Sequence, residues 1–257
     1  MGVKRAITLQ EAQKLFPKFT LKNLQVTKDG IIDTTYLFDK YILKYYERDI
    51  EEKLEEDTYR LQLFKEAHLH VTSLLASHKN WYLYERLEGK SPRTIGYYHI
   101  QALARFIAKL HSQRVPTQEK FIEQYQVKEK LHALKSISYY YYKRLLPLRD
   151  FQENFDGFIH GDIFKDNTVF DGEKIAVFDF IDGGLGSYAF DIAVALLSFN
   201  PKNKYSLNRL FLSTYNQHAP KKIALKTLHK HKEVASLFYA LLRISDGQTI
   251  ARAKELL

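Results

Sequence analysis

The chain has 257 residues, of which 45% are hydrophobic and 27% charged, and it contains no cysteine. This composition is ordinary for a globular protein with one large domain or two lobes, and it excludes disulfide bonds and thiolate metal sites. The net charge of +9 is compatible with an anionic small-molecule ligand. No apolar stretch is long enough to span a bilayer, and the N-terminus lacks the pattern of a secretory signal. We therefore expect a cytoplasmic protein without a membrane or nucleic-acid partner.

The first third of the chain predicts a small antiparallel sheet with flanking helices. Thr8 and Glu11 form the Thr-x-x-Glu pattern of a capping box at the start of a helix. Short β-type alternations follow, and Asp29-Gly30 interrupts them as a turn would. In chain order the predicted elements are a helix over 9–16, strands within 21–46, a helix over 49–70 and a strand over 81–87.

The remainder of the chain is mostly helical in pattern. Residues 94–111 carry a stripe of apolar side chains at helical spacing, and further helices are predicted from residue 190 onward. The order of elements predicts an α+β fold of two lobes. Residues 1–88 would form a small antiparallel-sheet lobe that binds a ligand, and residues 89–257 a larger, mostly helical lobe that carries catalysis. A cleft between two lobes is a natural ligand site.

The segment from Phe158 to Asp191 contains the most informative group of polar residues. Asp162 follows His160-Gly161, Asn167 lies five positions later, and Asp179 follows an apolar run. Phosphoryl transfer requires a carboxylate that takes the proton of the acceptor hydroxyl and cations that hold the phosphates. Amide and carboxylate oxygens are ligands that Mg²⁺ prefers. The segment therefore predicts a catalytic base and a magnesium site.

A β-hairpin is predicted between these residues. Residues 168–170 and 175–178 have strand character, and Asp171-Gly172 supplies the turn. We expect the hairpin to bring Asn167 close to Asp179.

The pattern His160-Gly161-Asp162-x-x-x-x-Asn167 with Asp179-Phe180 resembles the catalytic signature of the aminoglycoside phosphotransferase and choline kinase superfamily. Members of that superfamily share a bilobal protein-kinase-like fold, and within it the segment is most similar to type II homoserine kinase. The resemblance implies ATP and Mg²⁺ as cofactors. It also implies roles for the matched positions: Asp162 as catalytic base, Asn167 and Asp179 as Mg²⁺ ligands, His160 as a brace for the loop, and Asp191 as a cap of the loop amides.

The same resemblance places the nucleotide in the N-terminal lobe. Lys44, within an apolar strand, is similar to the lysine that contacts the α- and β-phosphates. Its ion-pair partner is expected on the next helix, where Glu55 and Glu56 both qualify and Glu56 is favoured. The remaining nucleotide candidates are Gly30 and Thr34 in a phosphate-covering loop over 28–35, and the main chain of Glu85 and Leu87 beside adenine.

Two features favour a small acceptor over a protein. The loop reads His-Gly-Asp, and the short interval from Asp179 to Asp191 leaves no room for an activation segment. The resemblance favours L-homoserine, which would give O-phospho-L-homoserine in threonine biosynthesis. Asp182 and Arg243 are candidates for binding its charged groups, together with Asp162 at the hydroxyl.

Alternative functions stay open at this point. The first is phosphorylation of choline, ethanolamine or an aminoglycoside, and the second, less favoured, is a non-catalytic nucleotide- or RNA-binding protein. The basic segment 218–232 is interpreted as a solvated helix face. The oligomeric state does not follow from the sequence.

Overall fold

The computed structural model of the protein describes residues 5–27, 33–245 and 256. The chain divides into two compact units. The first unit comprises Met1–Gly89 and Ala176–Ile181, and the second comprises Lys90–Ile175 and Asp182–Leu257. The assignment of nucleotide binding to residues 1–88 and of catalysis to residues 89–257 stays a prediction.

The first unit is built on an antiparallel sheet of five strands in the order β1-β2-β3-β5-β4, counted over the described residues. The strands are β1 (Gln25–Val26), β2 (Thr34–Leu37), β3 (Tyr41–Tyr45), β4 (Leu74–His78) and β5 (Trp81–Glu85). In the described part of this unit they are accompanied by helices α1 (Leu9–Leu15) and α2 (Glu51–Glu66). The predicted sheet is therefore confirmed, although the pattern did not reveal the edge strand β4, whose five residues are mostly exposed.

The capping box at the start of α1 is confirmed. The Thr8 hydroxyl accepts a hydrogen bond from the Glu11 amide at 3.2 Å, and the Glu11 carboxylate accepts one from the Thr8 amide at 2.8 Å. These two bonds satisfy amides that have no partner within the helix. The buried side of α1 packs into a core with Tyr36, Leu43 and Leu83 from the sheet.

The second unit is mostly helical. Its helices are α3 (Tyr97–His111), α4 (Val127–Ile137), α5 (Tyr139–Leu145), α6 (Tyr188–Phe199), α7 (Tyr205–His218) and α8 (Leu225–Ser245). Helix α3 packs on α7, and α6 packs on α8. Helix α6 is buried along most of its length, which explains its nearly continuous apolar sequence.

Short strands complete the second unit. Strands β6 (Gly157–Ile159) and β9 (Gly184–Gly186) pair antiparallel. Strands β7 (Thr168–Asp171) and β8 (Lys174–Val177) form the predicted hairpin, and the chain passes into the first unit within β8. Gly172 adopts a φ of +57° in the turn, a conformation that costs glycine little.

The prediction of a solvated face for residues 218–232 is wrong for its last two residues. His231 and Lys232 are buried in α8, and burial lowers the pKa of the Lys232 amine to about 8. The Lys232 ammonium donates to the side-chain oxygen of Asn203 at 2.9 Å. Charge composition alone did not separate this buried lysine from its exposed neighbours.

Among the described residues, no helix combines the length and the apolar content needed to cross a bilayer.

Candidate active site

Gly161 shapes the loop that presents Asp162. Strand β6 ends just before this loop, and Gly161 takes a φ of +75°, which side-chain-bearing residues rarely adopt. A Cβ atom built on Gly161 would lie 2.0 Å from the Phe121 ring, so no larger residue fits without displacing that ring. The glycine of the His-Gly-Asp sequence is thus required by local geometry.

Asp162 and Asn167 are linked directly. The Asn167 amide nitrogen donates to the Asp162 main-chain carbonyl at 2.9 Å and to its carboxylate Oδ2 at 2.8 Å. A 3₁₀ turn over Lys165–Asn167 brings the two residues together. Because the amide nitrogen makes these bonds, the Asn167 carbonyl oxygen stays available as a ligand for a cation.

Asp191 holds the backbone of the same loop. Its carboxylate, fully buried in the first turn of α6, accepts from the Gly161 amide at 2.7 Å and from the His160 amide at 3.3 Å. The His160 ring accepts at Nδ1 from the Asp162 amide at 3.2 Å. The amides of these three consecutive loop residues are therefore all engaged.

His111, at the end of α3, is a site residue that the sequence interpretation missed. Its Nε2 lies 3.0 Å from the Asp191 carboxylate and its Nδ1 lies 2.8 Å from the Tyr215 hydroxyl. Burial raises the pKa of Tyr215 well above its ordinary value, so this hydroxyl keeps its proton. The only signal in the sequence was a histidine within the predicted apolar stripe of residues 94–111.

The first unit contains the other group of candidate residues. The Lys44 ammonium lies 2.6 Å from the Asp179 carboxylate, and the two side chains are 14% and 33% exposed. Asp179 has a φ of +72°, a strained conformation that is frequent at functional sites. The pocket around this ion pair is lined by Ile42, Lys44, Tyr46, Asp57, Leu61, Thr72, Tyr84, Phe178, Asp179, Phe180 and Ile181.

The prediction that Glu56 pairs with Lys44 is wrong. Glu56 is 62% exposed, and its carboxylate lies 3.5 Å from the Arg60 guanidinium one turn later. The next residue, Asp57, is buried and lines the pocket that contains Lys44. Asp57 shares a helical face with Leu61 and Phe64, at positions i, i+4 and i+7, whereas Glu56 lies outside that face.

Acidic charge dominates this pocket. The hydroxyls of Tyr46 and Tyr84 lie 3.4 Å apart. Burial raises the pKa of both tyrosines well above the ordinary value, and the carboxylates of Asp57 and Asp179 raise it further. Both hydroxyls are therefore neutral, and a cation bound beside these carboxylates would relieve their negative field.

The remaining nucleotide candidates differ in whether their polar groups are already hydrogen-bonded. Gly30 lies outside the described residues, as does most of the loop 28–35. Thr34 is buried in β2, and its hydroxyl accepts from the Arg5 amide at 3.2 Å. Both main-chain groups of Glu85 are already bonded, the amide to Ser73 and the carbonyl to the Thr72 hydroxyl. Within the described chain the main-chain groups of Leu87 make no hydrogen bond, which leaves them for a ligand.

The two substrate candidates both belong to the second unit. Asp182 is partly buried, and its main-chain carbonyl accepts from the Gln124 side chain at 2.8 Å. Arg243 is partly buried near the end of α8. Their roles in substrate binding stay predictions that rest on the sequence resemblance.

Together, the antiparallel sheet, the helical C-terminal part and the loop built on Asp162 and Asn167 define a kinase-like α+β protein. The sequence model of the phosphotransferase enzyme family matches residues 23–225, and the chain belongs to this family. The predicted fold class is thereby confirmed. No curated protein sequence matches the chain.

Solved structures with the same fold cover nearly the whole chain. The amicoumacin kinase hAmiN, in complex with AMP-PNP, Ca²⁺ and Ami, has a TM-score of 0.72 at 17% identity, over 96% of this chain and 92% of its own. The macrolide 2′-phosphotransferase MphH from Brachybacterium faecium has a TM-score of 0.70 at 16% identity, over 96% of this chain and 97% of its own. Choline kinase LicA from Streptococcus pneumoniae has a TM-score of 0.62 at 17% identity, over 95% of this chain and 96% of its own.

Proposed function

We propose that this phosphotransferase transfers the γ-phosphate of ATP to a hydroxyl group of a small molecule. The observation that carries the proposal is the loop of Asp162, in which Asn167 bonds the carboxylate and Asp191 fixes the backbone. This arrangement lies within the residues matched by the family. ATP is supported by solved relatives that contain ADP or AMP-PNP.

Each candidate residue has a role in this proposal. Asp162 orients the acceptor hydroxyl and takes its proton. Lys44 binds phosphate oxygens, and the main chain of Leu87 pairs with the base. Asp179 and the amide oxygen of Asn167 are the donors for Mg²⁺, which neutralises charge on the phosphates when bound.

The donors present fit magnesium. Among the described residues, no three His, Asp or Glu side chains cluster as a metal-binding group. Mg²⁺ in kinases is held by one or two protein oxygens together with phosphates and water, so a full protein cage is not required. The acidic pocket around Asp57 and Asp179 supplies the matching charge.

For the acceptor, we favour a cationic alcohol without a carboxylate group over L-homoserine. Solved structures with this fold include ones named for gentamicin, streptomycin, a macrolide and choline. An ammonium group needs a carboxylate, which Asp182 offers. Arg243 would be needed only for an acceptor with a carboxylate, as homoserine has.

An ADP-release assay with Mg²⁺-ATP tests this function. The acceptors are choline, ethanolamine, several aminoglycosides and L-homoserine, and a parallel series uses GTP. We expect release with at least one acceptor that lacks a carboxylate, unaffected by Arg243→Gln. Release with homoserine alone, lost in Arg243→Gln, would favour homoserine kinase activity. RNA binding without release for any acceptor would reject the kinase proposal.

Asp179→Ala is expected to remove the gain in nucleotide affinity that Mg²⁺ provides, since the variant loses a charged metal ligand. Without Mg²⁺ its affinity should equal or exceed that of the wild type, because Lys44 loses its ion-pair partner and a negative charge near the phosphates disappears. Calorimetric titration with AMP-PNP, with and without Mg²⁺, measures both effects. Asp171→Ala, which removes an exposed carboxylate of the hairpin that precedes Asp179, is the control. Equal Mg²⁺ dependence in Asp179→Ala and the control would remove Asp179 from the metal site.

A further inference from the structure

Tyr239 on α8 contacts the loop of Asp162 although it is distant in sequence. Its hydroxyl donates a hydrogen bond to the main-chain carbonyl of Gly161. The side chain is buried, with its ring packed edge-on against Phe164 at 4.8 Å and against Phe238 at 5.2 Å between centroids. Residue 239 lies beyond residues 23–225 that match the family, so the family signature assigns it no role.

The hydrogen bond from Tyr239 completes the anchoring of Gly161. Asp191 accepts from the amide of this glycine at 2.7 Å, and Tyr239 donates to its carbonyl. The next amide, that of Asp162, is bonded to the His160 ring. The two peptide groups that precede the Asp162 side chain are therefore held by α6, by α8 and by the loop itself.

The Tyr239 hydroxyl acts as a donor. Burial, and then the negative charge of Asp162, raise the pKa of Tyr239 well above its ordinary value, so the phenol stays protonated. A protonated phenol beside a carbonyl donates to it, which matches the bond to Gly161. The left-handed φ of Gly161 makes this anchoring important, because glycine alone restricts the backbone little.

We propose that Tyr239 is a positioning residue for the phosphoryl-transfer reaction: its hydroxyl fixes the Gly161 carbonyl and thereby the direction of the Asp162 carboxylate. The inference rests on the proposed function, in which Asp162 is the base. A displacement of about 1 Å in a catalytic group can cost about 100-fold in rate. Tyr239 would therefore control turnover through Asp162, with whose side chain its hydroxyl also interacts.

A purely structural tyrosine offers the contrast. Tyr36 in β2 is also buried, and its hydroxyl also donates to a main-chain carbonyl, that of Arg5, at 2.9 Å. Loss of the Tyr239 hydroxyl removes its bond to the Gly161 carbonyl. Loss of the Tyr36 hydroxyl removes its bond to Arg5 and the bond it accepts from the Ile7 amide. Tyr36→Phe is therefore a control that matches Tyr239→Phe in chemistry but belongs to the first unit, whereas the Asp162 loop belongs to the second.

The experiment compares Tyr239→Phe, Tyr36→Phe and the wild type in two measurements. Steady-state kinetics use Mg²⁺-ATP and the acceptor found in the ADP-release assay. Hydrogen exchange followed by mass spectrometry reports on peptides that cover residues 158–167, and it does not depend on activity. We expect Tyr239→Phe to lower kcat about 10- to 100-fold with the KM for ATP unchanged. Exchange should rise in 158–167 for this variant only.

Replacement of Tyr239 by 3-fluorotyrosine keeps the hydroxyl and should retain wild-type kcat and exchange. Wild-type kcat or unchanged loop exchange in Tyr239→Phe would overturn the inference. An equal loss in the fluorotyrosine protein would do so as well, because the ring rather than the hydroxyl would then matter. If the wild type releases no ADP with any acceptor, the proposed function fails, while the exchange data still decide whether Tyr239 holds the loop.

Discussion

Asp162→Asn is expected to lower kcat by about 10²–10⁴-fold, the usual contribution of a general base. The substitution preserves the shape of the side chain but removes the group that takes the proton. Nucleotide affinity should stay at the wild-type value, because Lys44 and Asp179 belong to the other unit and are unchanged. Kinetics and calorimetric titration with AMP-PNP measure the two quantities separately.

Asp166→Asn is the matched control for this variant. Asp166 lies four residues further along the same loop, carries the same charge and is exposed. Its replacement should leave kcat within the range of the wild type. Similar turnover in Asp162→Asn and Asp166→Asn would remove Asp162 from the role of base.

The parts of the site that depend on local sequence could be predicted. Asn167 bonds Asp162 because a single short turn joins them, and the hairpin after Asn167 forms between two strands separated by a tight turn. The observed strands leave Gly172 and Glu173 as the turn residues, one position later than predicted. Such features follow from residue types and spacing over a few positions.

Partners that come from distant elements could not be predicted from the motif. Asp57, His111 and Tyr239 reach the candidate site residues from α2, α3 and α8. Helical periodicity contained part of the information, since Asp57 falls on the apolar face of α2 and Glu56 does not. Which polar residue of a buried face meets which loop is decided by the packing of whole helices, and a single sequence does not specify it.

Short strands were missed for a related reason. Strands β6 and β9 have three residues each, and β9 reads Gly-Leu-Gly, which has no strand propensity of its own. Their pairing depends on tertiary contacts. Tertiary contacts also explain why residue 161 is a glycine, because the Phe121 ring occupies the space that a Cβ atom would need.

Asp191→Ala is expected to lower the free energy of unfolding by about 3–5 kcal/mol, because three buried donors lose their acceptor at about 1–3 kcal/mol each. The carboxylate accepts from two loop amides and from His111 at full burial, and water cannot replace it there. Urea unfolding measures the loss. Because the loop is then no longer held, kcat should fall by about 100-fold as well.

The start of α6 provides the control for this prediction. Asp156 also accepts from an amide at this helix end, that of Tyr188 at 3.1 Å, and it pairs with the exposed Lys221. Asp156→Ala should cost about 1 kcal/mol, as loss of a helix cap does, and should leave kcat unchanged. Asp191→Asn should lose less stability than Asp191→Ala and more than Asp156→Ala, since the side-chain amide keeps one acceptor oxygen for the loop amides. If Asp191→Ala loses stability but keeps wild-type kcat, the carboxylate supports the fold alone, and the loop of Asp162 holds its geometry without it.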